Sequence, residues 1–168
     1  MRSIKILTLI ALVCTLCTVS SCKKDSGDVP SKGKSSLTAK VNGTVTVFDK
    51  LSLGLTGSVN GQEFTSLQGT AADGSNMSLT INGPVIAGKT YSVTAVNYED
   101  SGSIFYTTKD DVTFVNDDVA ANQVSITVTG LSGKTIKGAF KGGVKAMLNN
   151  SEETRAITEG TFNVTVAE

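Results

Sequence analysis

The chain contains no histidine and no tryptophan, has only two prolines, and places all three of its cysteines at or before position 22. Each shortage removes a class of chemistry. Without imidazole there is no histidine general base, no Ser–His or Cys–His pair and no histidine metal ligand. Without tryptophan the commonest platform for stacking a sugar ring is missing. With Cys14, Cys17 and Cys22 confined to the start, the chain beyond them must fold without a disulfide framework. Fifteen Lys plus Arg balance fifteen Asp plus Glu, which leaves no basic footprint for a nucleic-acid backbone. The expectation is a protein with no nucleic-acid partner, no cofactor, no metal and no catalytic residue. The enzyme class least excluded is a carboxylate-dependent glycan hydrolase, which requires two facing acids about 5–10 Å apart.

What the sequence does have begins with a short apolar run. Arg2 and Lys5 open the chain, and Ile6 to Leu16 follow, interrupted only by Thr8 and Thr15. These eleven residues are too few to cross a bilayer, which takes about 20, but match the apolar core of about 7–15 residues in an export signal. Residues 1–21 are therefore read as a removable leader. It ends in Val19-Ser20-Ser21-Cys22, which resembles the bacterial lipoprotein signal: an aliphatic residue, two small residues, and the cysteine that receives a diacylglycerol before cleavage. Cys14 and Cys17 follow bulky residues and do not fit. The resemblance implies a chain that starts at acylated Cys22 and has the membrane as its partner through that anchor, since two or more acyl chains hold stably. Lys23, where an Asp would signal inner-membrane retention, implies delivery to the outer membrane. Loss of the leader removes Arg2 and Lys5, leaving thirteen basic against fifteen acidic residues and a net charge of −2.

Residues 22–36 comprise the cysteine and a spacer with one aliphatic residue, Val29, too polar to bury a core and read as a flexible tether. Residues 37–168 form one domain. Leu37, Ala39 and Val41 alternate with Thr38 and Lys40; Met77, Leu79 and Ile81 alternate with Ser78 and Thr80; Val124, Ile126 and Val128 alternate with Ser125 and Thr127. A period of two is that of half-buried strands. Further strands are expected at 44–48, 51–59, 63–71, 90–96, 103–107, 111–115, 135–146 and 156–166. Asn42-Gly43, Asn60-Gly61, Ala72–Ser75 and Ser132-Gly133 supply the residues that tight hairpins need, so neighbours should run antiparallel. Segment 135–146 fits both periods. Gly138, Gly142 and Gly143 would each cost a helix about 1 kcal/mol, so it is read as a strand in which glycine marks a bulge or bend. The sum is an all-β domain, an antiparallel β-sandwich of about nine or ten short strands, with a small closed β-barrel as the alternative.

Leu37–Gly43, Gly88–Val93, Gly138-Ala139-Phe140 and Glu159–Val164, together with Ser21-Cys22-Lys23-Lys24-Asp25, resemble an uncharacterised family of β-rich envelope lipoproteins from Bacteroidota. The resemblance covers most of residues 37–166. It implies a non-catalytic, lipid-anchored envelope protein that acts as a binding or accessory module, and it supplies no functional residue beyond Cys22. A structural or adhesive surface subunit is the alternative.

Candidate contact residues are two tyrosines. Tyr98 lies in Asn97-Tyr98-Glu99-Asp100-Ser101-Gly102, an aromatic, an amide and two acids in one loop suited to a glycan or protein partner. In Ile104-Phe105-Tyr106, adjacent rings must point to opposite faces, so either Phe105 or Tyr106 is exposed. Asp110-Asp111, Asn116 and Asp117-Asp118 are read as solvated turn residues rather than a calcium loop. Lys137, Lys141 and Lys145 are read as a guard against edge-to-edge pairing, with contact to an anionic polysaccharide as the other reading. The expected oligomeric state is a monomer.

Overall fold

The computed structural model describes residues 35–50, 52–93, 99–117, 122–147 and 152–167. Their strands are β1 (Ser36–Val41), β2 (Thr44–Val47), β3 (Leu53–Val59), β4 (Gln62–Thr70), β5 (Asn76–Asn82), β6 (Thr90–Ser92), β7 (Gly102–Thr107), β8 (Thr113–Asn116), β9 (Ser125–Ser132), β10 (Thr135–Ala146) and β11 (Thr154–Ala167). The described residues contain no α-helix. The all-β expectation holds, and the eleven strands form one hydrogen-bonded sheet. Its order is β2-β1-β11-β3-β4-β5-β7-β8-β10-β9-β6, and a further pairing of β11 with β10 closes β11, β3, β4, β5, β7, β8 and β10 into a ring. All neighbours are antiparallel except β11 and β3, which meet in parallel at Val166↔Gly54 and Ala167↔Leu55.

The alternation seen in the sequence decides what faces inward. Leu37 and Ala39 of β1, Met77, Leu79 and Ile81 of β5, and Ile126 and Val128 of β9 are all buried in one core. Its aromatic centre is Phe48, Tyr106 and Phe114. Tyr106 meets Phe48 edge-on at 6.4 Å and Phe114 tilted at 6.0 Å, separations at which ring pairs attract. Asn42-Gly43 and Asn60-Gly61 form the two-residue turns expected of them, with φ of 47° and 82°, and 54° and 81°. These left-handed values match the twist of a tight hairpin and suit Asn followed by Gly.

Segment 135–146 is a strand, and its glycines do what the bulge reading requires. The register of β10 slips against β9 between Lys137 and Gly138, and against β11 between Phe140 and Gly142. Thus one strand can pair with β9 along its first half and with β8 at its end. Gly138 lies opposite Phe162, and Phe140 opposite Gly160. A Cβ on Gly138 would fall 2.2 Å from the Thr127 carbonyl oxygen and 2.3 Å from the Phe162 ring, while one on Gly160 would fall 2.5 Å from the Phe140 carbonyl oxygen. Each ring therefore occupies the space that the opposite glycine leaves empty.

The ring has two ends. At the near end β1 starts, β11 finishes, and the β3–β4 and β9–β10 hairpins turn. At the far end lie the β1–β2, β4–β5 and β7–β8 turns and the β10–β11 connection. In the far-end turn after β4, Asp73 Oδ1 accepts the Ser75 N–H at 3.0 Å and the Ser75 hydroxyl at 2.7 Å. The Ser75 side-chain bond, then its backbone bond, holds the Asp73 carboxyl below its ordinary value of 3.8.

Two outcomes test this account. Gly138→Ala should lower the urea midpoint of unfolding by the equivalent of about 1–3 kcal/mol, whereas Gly130→Ala, with nothing within 4 Å of the new Cβ, should stay within about 0.5 kcal/mol. Because the folded Asp73 carboxyl is the stronger acid, its contribution is complete above the ordinary carboxylate range and fades as pH falls through the lowered folded value. The stability difference between wild type and Asp73→Asn should therefore be flat near neutral pH and shrink in acid titrations monitored by circular dichroism.

Candidate functional site

An open cleft of about 610 Å3 lies at the near end. Its walls come from four places far apart in sequence: the β3–β4 hairpin, the loop after β5, the β9–β10 turn and the last residues of β11. Ile136, Val166, Val85 and Phe64 supply its apolar share, while Glu63 and Lys134 contribute one charge of each sign. Thr56, Ser58 and Thr65 add hydroxyls. This mixture of an apolar surface with a few polar groups is what small-ligand sites use.

Each wall has a local cause. The β3–β4 hairpin runs past the end of its neighbours: β11 reaches β3 only at Leu55, and β5 leaves β4 at Phe64. In that overhang Phe64 pairs with Gly57 and its ring covers it, so that a Cβ there would sit 2.7 Å from the ring. The Gly83 N–H donates to the Glu63 carbonyl at 2.7 Å, tying the loop after β5 to the hairpin. Across the cleft the Val166 N–H donates to the Lys134 carbonyl at 2.9 Å, tying β11 to the β9–β10 turn.

The loop carrying Val85 is fixed from beneath by Tyr91, which is wholly buried. Its hydroxyl donates to the Pro84 carbonyl at 2.6 Å and accepts the Ile86 N–H at 2.9 Å. Lys89 stands over the same ring, 5.1 Å from its centroid, and is paired with Asp100 at 2.5 Å. Sequence reasoning did not single out Tyr91. The available signal was alternation, which puts Tyr91 and Val93 on one face and Thr90 and Ser92 on the other.

The other candidates fall elsewhere. Cys22 and Tyr98 lie outside the described residues. Tyr106, proposed as a surface contact, is corrected: it is 9 % exposed and sits in the aromatic centre of the core, because it shares a face with buried Ile104. Phe105 is the exposed ring of the pair, at 40 %, and borders a depression of about 290 Å3 beside Leu53, Gln68 and Ser78. Asp110 and Asp111 are exposed in the β7–β8 turn. Asn116 accepts the Ile104 N–H at 2.7 Å, and Asp117 accepts from the Asn122 amide at 2.9 Å, so both serve neighbouring backbone and turn structure. Among the described residues, no group of three or more His, Cys, Asp or Glu converges on a point that could hold a metal.

The lysine stripe also needs correction. Lys137 and Lys141 are exposed on β10 and Lys145 bonds Glu152 at 2.9 Å, but β10 is paired along both sides. It has no free edge to guard.

The far end differs in kind from the near end. Its connections carry Asp49, Asp73, Asp110, Asp111, Glu152 and Glu153 against Lys50 and Lys109, with Lys145 and Arg155 pairing the two glutamates from adjacent strands.

No family model matches the chain, and neither a curated protein nor a solved structure matches it.

Tyr91→Phe should leave the Pro84 carbonyl and the Ile86 N–H without their partner. The expected cost is about 1–3 kcal/mol in chemical denaturation. Hydrogen exchange should quicken at Ile86 but not at Val128, whose N–H bonds the Lys89 carbonyl.

Proposed function

We propose that the chain is a non-catalytic lipoprotein of the bacterial envelope, anchored to the outer membrane through Cys22 and acting as a binding module whose ligand site is the near-end cleft. The observation that carries the reading is the composition of that cleft: apolar side chains beside one acid, one amine and hydroxyls, with two of its walls tied to their neighbours by backbone hydrogen bonds, in a chain without imidazole. Such a surface is suited to hold a small or extended ligand. Support for the anchor comes from the Val19-Ser20-Ser21-Cys22 sequence, and the resemblance to β-rich envelope lipoproteins of Bacteroidota agrees with it.

A second reading, a structural or adhesive subunit, draws on β2. Among the described residues this four-residue strand pairs only with β1, and its Val45 and Val47 are exposed, so its outer edge offers a ladder to a strand from another chain. The two readings differ in mass. A leaderless Cys22→Ser chain should run as a monomer in light scattering if it is a binding module, and as higher oligomers if it is a subunit.

Cells fed an alkyne fatty acid should label the wild-type protein and leave Cys22→Ser unlabelled, with the variant moving from the membrane to the soluble fraction. Equal labelling of both would overturn the anchor. Protease shaving of intact cells then reports which leaflet carries the protein.

A further inference from the structure

The chain enters the fold at one end of the ring. Ser35, the first described residue, lies at the near end: its Oγ accepts the Thr165 N–H at 3.0 Å, one residue before Val166 in the cleft wall. β1 then runs away from that end, from Ser36 opposite Asn163 to Val41 opposite Ile157. The thirteen residues from Cys22 to Lys34 span at most about 45 Å when fully extended. β10 alone, with twelve residues, is about 40 Å long. A link of that length reaches a bilayer directly from the near end. To bring the far end to the membrane, most of it would have to run back along the body.

The near end is also dressed for that contact. Three separate connections present an apolar side chain there: Val59 at the tip of the overhanging hairpin, Ile86 beside Val85, and Leu131 before the β9–β10 turn, which are 61 %, 48 % and 46 % exposed. Val45, Val112 and Met147 are exposed at the far end too, but Val45 lies opposite Lys40, which pairs with Glu159, and the other two stand among the charged groups described above, which an interface would have to strip of water. The cleft offers Glu63 and Lys134, of opposite sign, and against its Gly83 stands Asp100, already paired with Lys89, with exposed Glu99 next to it in the chain.

We infer that the near end is a bilayer-facing surface: Val59, Ile86 and Leu131 rest in the headgroup region and the cleft opens toward the lipid. The inference rests on the reading of Cys22 as the anchor and names the partner of the cleft end. Loop-tip aliphatics around a concave mouth suit an interface in which apolar tips enter and backbone stays wet.

The test uses the absence of tryptophan, which makes a single introduced indole the sole reporter. The leaderless chain from Cys22, which holds every described strand, is coupled through that thiol to a maleimide lipid in phosphatidylethanolamine–phosphatidylglycerol vesicles. Leu131→Trp and Val59→Trp are compared with Lys109→Trp at the far end, in plain and in brominated lipid. The expected result is blue-shifted emission at positions 59 and 131, with at least threefold stronger quenching by bromine there than at position 109. Equal quenching at both ends, quenching only at position 109, or none at any position would overturn the inference. A blue shift at 59 and 131 without bromine quenching would overturn it in favour of a second copy of the chain covering this end. Because the link is made chemically, a cell that leaves Cys22 bare sinks the anchor reading without altering this result.

Discussion

β11 is hydrogen-bonded along both of its edges. On one side it pairs with β10 from Thr154 to Thr165; on the other it pairs with β1 from Ile157 to Asn163 and then with β3 at Val166 and Ala167. That double pairing turns an open sheet into a ring and gives its inward residues a common interior. It also demands close approach between β10 and β11, which the Gly138–Phe162 and Phe140–Gly160 pairs provide. Two rings and two glycines thus allow the seam that the core requires, without a disulfide or a metal among the described residues.

The cleft follows from how the seam ends. β3 takes over from β1 on the edge of β11 for only two residues and then continues alone with β4, so the hairpin overhangs the mouth of the ring. The β9–β10 turn stands opposite because β10 is itself bound to β11. With Tyr91 holding the loop after β5 from below, the concavity is set by backbone hydrogen bonds and one buried hydroxyl. This leaves Val85, Leu131 and Phe64 to define its lining by shape.

Much of this was legible in the residues. Alternation at Leu37–Val41, Met77–Ile81 and Val124–Val128 identifies both the strands and their inward faces, and the glycines of 138–143 favour a bulged strand over a helix. The same rule placed Ile104 and Tyr106 on one face; the apolar choice of that face was the signal that would have put Tyr106 inside and Phe105 out. What alternation does not carry is the order of strands. The lysines of β10 look like edge protection until β10 is seen with a neighbour on each side, β11 on one and β9 and β8 on the other, and alternation within the strand carries no sign of those partners. The cleft was hidden for the same reason: none of its four walls is adjacent in sequence to all the others.

That β11 follows every other described strand has a consequence for the order of folding. A chain made amino-terminus first presents β1 long before β11, yet among the described residues β1 finds a ladder partner other than its own hairpin mate only in β11. Until that closing strand arrives, Leu37, Ala39 and Phe48 have only part of their enclosure, and contacts this distant in sequence form slowly. Closure of the ring therefore waits on the last of the described strands, and the interior stays partly open until β11 docks between β10 and β1.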